Sequence, residues 1–229
     1  MVLDFHELTD RLERMYSRRL ALRPVSLADA WPLFQATRNP LFNKHLLWDR
    51  PEDEHEVHDR IDAIVQAARR GGMTALSGVV KTTGEWVSLF RFQPYGADPL
   101  AMEMGVWIHD RFWHGRYSLE LGRLCVDAAF DSCKVERLVG ASARENRASC
   151  HLMKSMGMSD AKLVTRYTES GRPVELQEFE LSRSQWAIHK LARVGSSYSS
   201  TSTGEYRAEI HDIRARRNNQ PSDQAEEAA

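Results

Sequence analysis

The amino-acid sequence predicts a mixed α/β fold, of the α+β kind, with a central and mostly antiparallel sheet. The main observation is the order of its elements. Three strand-like segments, 73–81, 85–95 and 100–109, follow one another directly in the middle of the chain. Helical periods lie on both sides of them, and a later strand, a helix and a hairpin complete the series. Because helices do not alternate with single strands, a doubly wound parallel sheet is excluded.

Helical patterns dominate the first seventy residues. Apolar side chains recur at helical spacing over 4–17, so we expect an N-terminal helix on the outside of the domain. Residues 19–25 alternate as a short strand does. Ser26 then begins a predicted helix that ends near 37 and is kinked or broken early by Pro32. A further helix is expected from Pro51 to about 70, because proline suits the first helical position.

The second half of the chain follows the same logic. An apolar stripe favours a helix over 115–133, and residues 137–143 form one further predicted strand. A short helix is expected over 146–156, ended by Gly157. Two final strands, 163–169 and 173–181, are predicted to form a hairpin whose turn is Ser170-Gly171-Arg172.

Composition divides the chain into three parts and excludes some classes of partner. We expect an N-terminal helix over 1–17, one domain over 18–190, and a low-complexity linker with a disordered tail over 191–229. The 31 Lys and Arg residues balance 32 Asp and Glu residues, which gives no electrostatic reason to expect nucleic acid or an anionic membrane. No apolar run approaches the roughly 18–20 residues that span a bilayer, and no signal peptide is evident.

The cysteines and histidines do not predict a metal site. Cys125, Cys133 and Cys150 are an odd number without paired spacing, so we expect reduced thiols in a cytoplasmic protein. His55 and His58 lie three residues apart, but no third ligand accompanies them, and a solvated helix face explains them better. We therefore expect no metal, no nucleic acid and no membrane among the partners.

Three blocks of residues carry more specific information. Residues 101–130 read AMEMGVWIHDRFWHGRYSLELGRLCVDAAF, with an acidic residue and a glycine in a strand before Trp-Ile-His. Residues 145–149 read Glu-Asn-Arg-Ala-Ser, and FELSRSQW closes the pattern at 179–186. In this order the blocks resemble N-acetyltransferases of the GNAT superfamily, in particular the ribosomal-protein-alanine N-acetyltransferase group. The resemblance covers about residues 18–188 and implies the GNAT fold, whose sheet is splayed at its fourth strand and has helices on both faces.

The resemblance implies that acetyl-CoA donates an acetyl group to a primary amine. A splayed strand exposes unpaired amides, and a helix start offers N–H groups to a pyrophosphate. Gly105 interrupts the apolar strand, which favours either a bulge or the close approach of a ligand. By position in the family's motifs, the pantetheine arm is expected at Val106, Trp107 and Ile108. The remaining cofactor-binding residues that the resemblance implies are Trp113, His114, Gly115, Arg116, Tyr117, Ser118 and Asn146.

The phosphate-binding loop departs from the family's pattern. Arg116 stands where the family has its central glycine, and a left-handed backbone there would cost a non-glycine residue about 1–2 kcal/mol. Its side chain could instead donate hydrogen bonds to a phosphate. Three possibilities therefore stay open: an active acetyltransferase, a degenerate member that binds coenzyme A or nothing and acts as an interaction protein, or an enzyme that uses a longer acyl donor.

The reaction needs a base, because most free amines are protonated at pH 7 and the attacking amine must be neutral. Glu103 lies on the same strand face as Gly105 and is the candidate general base, with a solvated outward glutamate as the alternative. Ser149 is the second candidate catalytic residue: the resemblance implies that it orients water or protonates the leaving thiolate. Asn146 is also a good N-cap for the helix that carries Ser149.

The acceptor is not identified by these residues. Phe42 and Trp48 belong to the aromatic-rich segment 39–50, which lies where this fold lines its acceptor pocket, so both are candidate substrate-binding residues. Aromatic walls fit many amines, and the acceptor is either a protein N-terminus or a small molecule. The N-terminal helix and the tail are each expected to form a homodimer contact, a lid or neither.

Overall fold

The computed structural model of the protein describes residues 3–113 and 117–193. Contacts divide the chain into a unit of residues 1–186, which carries the sheet, and a unit of residues 187–229. The described part of the second unit, 187–193, is helical. His114, Gly115, Arg116 and residues 194–229 of the predicted linker and tail lie outside the described residues, whereas 191–193, expected in the linker, are helical.

The first unit is built on one sheet of seven strands. They are β1 Leu20–Pro24, β2 Thr74–Val80, β3 Trp86–Pro94, β4 Ala101–Ile108, β5 Arg137–Ala143, β6 Ser159–Tyr167 and β7 Pro173–Ser182. Their order across the sheet is β1-β2-β3-β4-β5-β7-β6. Only β4 and β5 run parallel, and every other neighbouring pair is antiparallel. The predicted mixed α/β class with a mostly antiparallel sheet is confirmed.

Helices cover both faces of this sheet, as the resemblance implied. They are α1 Phe5–Glu13, α2 Ala30–Thr37, α3 Pro40–Asn43, α4 Glu54–Arg69, α5 Tyr117–Ser132 and α6 Arg147–Ser155. Among the described helices, none is both long enough and apolar enough to cross a bilayer.

The helices α2, α3 and α4 pack on what we call the front face, the face on which Leu89 of β3 and Trp107 of β4 lie. One apolar cluster joins buried residues of these helices, such as Leu33 and Ile61, to Leu89. The stripe of α4 recurs at helical spacing through Val57, Ile61, Ile64 and Val65, and each of these side chains is buried. Burial of this stripe orients α4 across the first half of the sheet.

The opposite, back face is covered by α1, α5 and α6. A Cβ added to Gly78 of β2 would lie 2.6 Å from Leu121 of α5, so this glycine lets α5 pack closely on the sheet. A Cβ added to Gly140 of β5 would lie 3.0 Å from the sulfur of Met153, which belongs to α6. The N-terminal helix α1 packs against β1, β2 and α5.

The capping box at Ser26 and Asp29 is present as predicted, but the kink at Pro32 and the helix start at Pro51 were wrong, each for a local reason. Pro32 was expected to kink its helix, but α2 begins at Ala30 after a 3₁₀ turn over Leu27–Asp29. Pro32 therefore lies in the first turn, where a backbone N–H has no helical partner to lose. Similarly, α4 does not begin at Pro51. Asp53 is its N-cap, and the Asp53 carboxylate accepts a hydrogen bond from the backbone of Glu56 at 3.1 Å.

The final hairpin has the predicted turn but a longer first strand. Gly171 adopts a φ of 82° in the turn, a conformation that favours glycine. The strand β6 begins at Ser159 and not at 163, because Ser159 pairs with Glu180 of β7. The early residues of β6 are exposed and show no apolar alternation, so only this pairing makes them a strand.

Candidate active site

The two halves of the sheet separate at one point. The parallel ladder between β4 and β5 covers three residues of each strand and ends at the pair Glu103 and Val139, which we call the vertex. Residues 104–108 continue to pair with β3, and β5 continues to pair with β7. This confirms the predicted splay at the fourth strand. Beyond the vertex, β4 has no strand partner on the side of β5, so the peptide groups on that edge are open to a ligand, except the Ile108 carbonyl, which accepts a hydrogen bond from Trp113.

The predicted pantetheine residues Val106, Trp107 and Ile108 all lie on this part of β4. The carbonyl of Ile108 accepts a hydrogen bond from the indole Nε1 of Trp113 at 2.9 Å, which holds Trp113 against the end of the strand. Their contact with a cofactor stays a prediction.

Gly105 lies two residues beyond the vertex and does not form a bulge. The register between β3 and β4 is unbroken along its whole length, with Arg91 opposite Gly105. A Cβ added to Gly105 would lie 3.0 Å from the Nε atom of Arg91. The predicted close approach at this glycine is therefore made on the front face by the protein's own guanidinium.

Glu103, the candidate base, is held by two donors at the vertex. Its Oε1 atom accepts a hydrogen bond from Arg166 at 2.6 Å, and its Oε2 atom accepts one from Gln93 at 2.9 Å. Its side chain is 14% exposed, so it is not the solvated outward glutamate of the alternative explanation. An ionised carboxylate offers about four acceptor sites, so each oxygen keeps room for one more hydrogen bond.

Arg166 joins the two halves of the sheet beside the vertex. Its second nitrogen donates to Glu178 of β7 at 3.1 Å, while its first donates to Glu103 of β4. Burial lowers the pKa of Arg166, but the hydrogen bonds to Glu103 and Glu178 leave the pKa above its ordinary value. The Glu178 side chain is 2% exposed and also accepts a hydrogen bond from the Tyr95 hydroxyl at 2.7 Å.

Arg91 lies on the same front face and has a different environment. Burial lowers its pKa, Glu103 opposes that change, and Arg60 and Arg166 add to it. The centre of its guanidinium lies 5.7 Å from the ring centroid of Trp107. Among the described residues, none forms a hydrogen bond or an ion pair with this guanidinium.

Two tryptophans and the tip of the β6–β7 hairpin border this group. The rings of Trp48 and Trp107 lie 5.2 Å apart, and Arg60 stacks on Trp48 at 4.4 Å. Arg60 also forms an ion pair with Glu169 at the hairpin tip. The backbone N–H of Ser170 donates to Asp49 at 2.8 Å. These contacts dock the hairpin on the connection between α3 and α4, so the front face is bordered on two sides next to the vertex.

Asn146 and Ser149 lie where β5 leads into α6. The side-chain oxygen of Asn146 accepts a hydrogen bond from the backbone N–H of Ser149 at 3.2 Å, so Asn146 is the N-cap of α6 as predicted. Ser149 therefore stands in the first turn, where it is half-buried. Both residues follow the strand that diverges from β4, and their catalytic and cofactor roles stay predictions.

The comparison with protein families supports this arrangement. Residues 19–159, well over half of the chain, match the family described as the acetyltransferase (GNAT) domain. The chain belongs to the GNAT family. It is accordingly an acyl-CoA-dependent N-acetyltransferase, in a family that acetylates amines.

Individual relatives of this GNAT protein agree with the family match. It is 25% identical over 177 residues to the uncharacterized N-acetyltransferase p20 of Bacillus licheniformis, covering 77% of this chain and 99% of the relative. Its structure is similar to a putative ribosomal-protein-serine acetyltransferase from Vibrio cholerae, at 20% identity and a TM-score of 0.63, covering 73% and 95% of the two chains. It is also similar to the spermidine N-acetyltransferase of Vibrio cholerae in complex with CoA and spermine, at 13% identity and a TM-score of 0.63, covering 75% and 99%. At these identities the structural likenesses show the GNAT fold.

The predicted phosphate loop is described only at its two ends. Before it, Trp113 is bonded to Ile108 as given above. After it, Tyr117 begins α5 with its ring 5.2 Å from Phe112 and 4.0 Å from the guanidinium of Arg19. Ser118 follows in the same first turn and is half-buried. The other predicted loop residues, His114, Gly115 and Arg116, lie outside the described residues.

The predicted acceptor residues are both buried in the front-face cluster. Phe42 is 7% exposed and Trp48 is 5% exposed. Trp48 reaches the vertex region through its contacts with Trp107 and Arg60, whereas Phe42 packs within the cluster. Only Trp48 is thus placed among the charged residues beside Glu103, and a substrate-binding role for either residue stays a prediction.

Sequence reasoning missed the charged residues that surround Glu103. Arg91, Arg166 and Glu178 come from three different strands, and no local pattern brings them together. His45 was also not singled out. Burial and the neighbouring Lys44 lower its pKa, while Glu145 opposes this change, so His45 is a neutral imidazole at pH 7 on the connection between α3 and α4.

The described residues contain one group of three side chains that could hold a metal: His55, His58 and Asp59. All three are exposed, and their nearness follows from their spacing on one face of α4. The expectation that no metal takes part stays a prediction.

Proposed function

We propose that this GNAT enzyme transfers an acetyl group from acetyl-CoA to a primary amine bound on the front face, with Glu103 as the general base. The observation that carries the proposal is the position of Glu103 at the vertex, where the last residue pair of the β4–β5 ladder precedes the open edge of β4. The thioester would lie along that edge, and the acceptor amine would approach Glu103 from the front face. The amine would belong to a protein N-terminus or to a small molecule.

In this mechanism the attacking amine passes its proton to Glu103, directly or through one water. The nitrogen forms a bond to the thioester carbonyl carbon, and the bond to sulfur then breaks. The leaving thiolate takes up a proton, which Ser149 delivers or relays through water. Arg166 and Gln93 fix the Glu103 carboxylate, so that its unused lone pairs point in constant directions.

Three free cysteines suit a reducing compartment, and we therefore place the enzyme in the cytoplasm.

Replacement of Glu103 by Gln tests the base. Glutamine keeps the shape: its oxygen can still accept from Arg166, and its NH2 group can donate to the Gln93 amide oxygen once that amide is turned, but it cannot take a proton at pH 7. We expect kcat to fall by about 100- to 10,000-fold with the best amine of a panel of primary amines and N-terminal peptides. The affinity for acetyl-CoA, measured by calorimetry, should stay nearly unchanged.

Glu180→Gln is the matched control. Glu180 is also a front-face carboxylate, it stands opposite Val139 in the neighbouring ladder, and it binds Arg137 at 2.7 Å. Its replacement should leave kcat close to that of the native enzyme. A fully active Glu103→Gln variant would exclude Glu103 as the base. A native protein that binds no acetyl-CoA would remove the acetyltransferase mechanism and favour the interaction role that Arg116 suggested.

A further inference from the structure

Three guanidinium groups lie together on the front face next to the vertex, and two of them are neutralised by the protein. Arg60 forms an ion pair with Glu169, and Arg166 binds both Glu103 and Glu178. The third, Arg91, has no hydrogen bond or ion pair with any residue that the structure describes. Arg91 thus differs from the two neighbouring arginines in having no carboxylate partner among the described residues.

The charged groups around Arg91 do not neutralise it. The charged groups that act on it are one carboxylate, Glu103, and two cations, Arg60 and Arg166. The negative charge of Glu103 is already paired with the guanidinium of Arg166. Stacking on Trp107 at 5.7 Å offers only a weak attraction. Arg91 therefore keeps a net positive charge in a partly desolvated position, which is unfavourable for the free protein.

The geometry makes this charge available to a ligand. Arg91 stands opposite Gly105, and the missing side chain of Gly105 leaves room for the Arg91 side chain, whose Nε atom would lie 3.0 Å from a Cβ there. No nitrogen of Arg91 is both buried and unpartnered, so its donors remain in contact with solvent. A guanidinium presents five N–H donors in a planar fork that matches a carboxylate with two parallel hydrogen bonds.

The distance from the base limits the size of the acceptor. A Cβ added to Gly105 would lie 3.0 Å from the Nε atom of Arg91, and Glu103 and Gly105 share one face of a strand in which residues two apart are separated by roughly 7 Å. An acceptor that presents its amine to Glu103 and an anionic group to Arg91 must therefore carry the two within a few bonds of each other. Free amino acids meet this condition, and so does a peptide whose N-terminal residue has a carboxylate side chain.

We propose that Arg91 is the specificity-determining residue of the acceptor site and that it binds a carboxylate carried close to the acceptor's amine. This inference rests on the proposed acetyl transfer. It predicts that polyamines and other acceptors without an anionic group are poor substrates. The same site takes the carboxylate of a free amino acid or the side-chain carboxylate of an N-terminal acidic residue, because both present a carboxylate near the amine to the same guanidinium.

Matched pairs of acceptors test the proposal with the full-length enzyme and acetyl-CoA. The first pair is L-alanine and L-alaninamide, and the second is two amidated peptides that begin with glutamate or with glutamine. In at least one pair we expect kcat/KM to favour the carboxylate by about 10- to 100-fold, the range of a hydrogen bond to a charged group. The pair that shows the preference identifies the source of the carboxylate.

Variants of Arg91 separate recognition from structure. In Arg91→Met the preference within the pair should disappear, while kcat/KM for the uncharged member and the affinity for acetyl-CoA stay nearly unchanged. In Arg91→Lys a reduced preference should remain, because the charge is kept and the fork is lost. The melting temperature of Arg91→Met should equal or exceed that of the native protein, since an unpaired charge is replaced by an apolar group.

Arg137→Met is the matched control, because Arg137 is a front-face arginine that already binds Asp98 and Glu180. The Arg137→Met variant should be less stable than the native protein and should keep the preference for the acceptor that carries a carboxylate. Equal rates within both pairs for the native enzyme would overturn the inference and leave the proposed acetyl transfer intact. A lower melting temperature for Arg91→Met, or an equal loss on both members of a pair, would show that Arg91 is structural. Absence of acetylation with every amine would overturn both proposals.

Discussion

Removal of the Arg166 side chain should destabilise the protein, because this residue ties together the two halves of the splayed sheet. Arg166→Met leaves Glu178, which is 2% exposed, and Glu103, which is 14% exposed, without their shared guanidinium. Loss of one partner from a buried ion pair costs about 3–5 kcal/mol. The Arg166 side chain is itself 30% exposed, and Lys162 and Tyr95 still contact Glu178 in the variant. We therefore expect a smaller loss, about 2–3 kcal/mol in the free energy of unfolding.

Denaturant unfolding followed by circular dichroism measures this loss, which corresponds to a fall in melting temperature of about 4–12 °C for a domain of this size. Adding Glu178→Gln to Arg166→Met should recover part of the stability, because the uncompensated charge is removed. Arg144→Met is the control: its pair with Glu175 is 3.8 Å long and about 60% exposed on both sides, so its removal should matter little. Equal stability of Arg166→Met and Arg144→Met would refute the reasoning, as would a double variant no more stable than Arg166→Met.

Two further predictions concern the core and the thiols. Trp186 stacks on Phe130 at 5.1 Å and donates to Asp127 at 2.7 Å, so Trp186→Ala should lower the free energy of unfolding by about 3–5 kcal/mol in denaturant titrations. Trp31→Ala, at a tryptophan that is 54% exposed, is the control, and equal losses would contradict the prediction. Burial raises the pKa of Cys133 to about 11, and it also raises the pKa of Cys125. At pH 8, an aromatic disulfide reagent should therefore react rapidly with the half-buried Cys150 alone, and three rapid thiols would show that the packing is wrong.

The strands of the first half were predicted to within one residue because their signals are local. Alternation and the turn at Gly84, whose φ is 71°, define β2 and β3 without reference to any other part of the chain. The start of β6 could not be found in this way. Ser159 and the residues after it are exposed on an edge strand, and their conformation depends on a partner strand that follows later in the sequence.

The candidate site was predicted only as far as local sequence patterns define it. The position of Glu103 in a strand and of Asn146 at a helix start follows from short-range patterns, and the resemblance to the GNAT family supplied their suggested roles. The partners of Glu103 could not be predicted, since Arg166 lies 63 residues away in the sequence. Two arginines on other strands carry no mark that separates them from surface arginines.

The sequence by itself therefore determined the order of helices and strands, the family and the elements that carry the candidate catalytic residues, because periodicity and motif spacing act over a few residues. Only the tertiary structure decided that Glu103 closes the β4–β5 ladder, that Arg166 binds it, and that Arg91 occupies the space left by Gly105. These contacts depend on the register between distant strands, which long-range packing selects and no local pattern encodes.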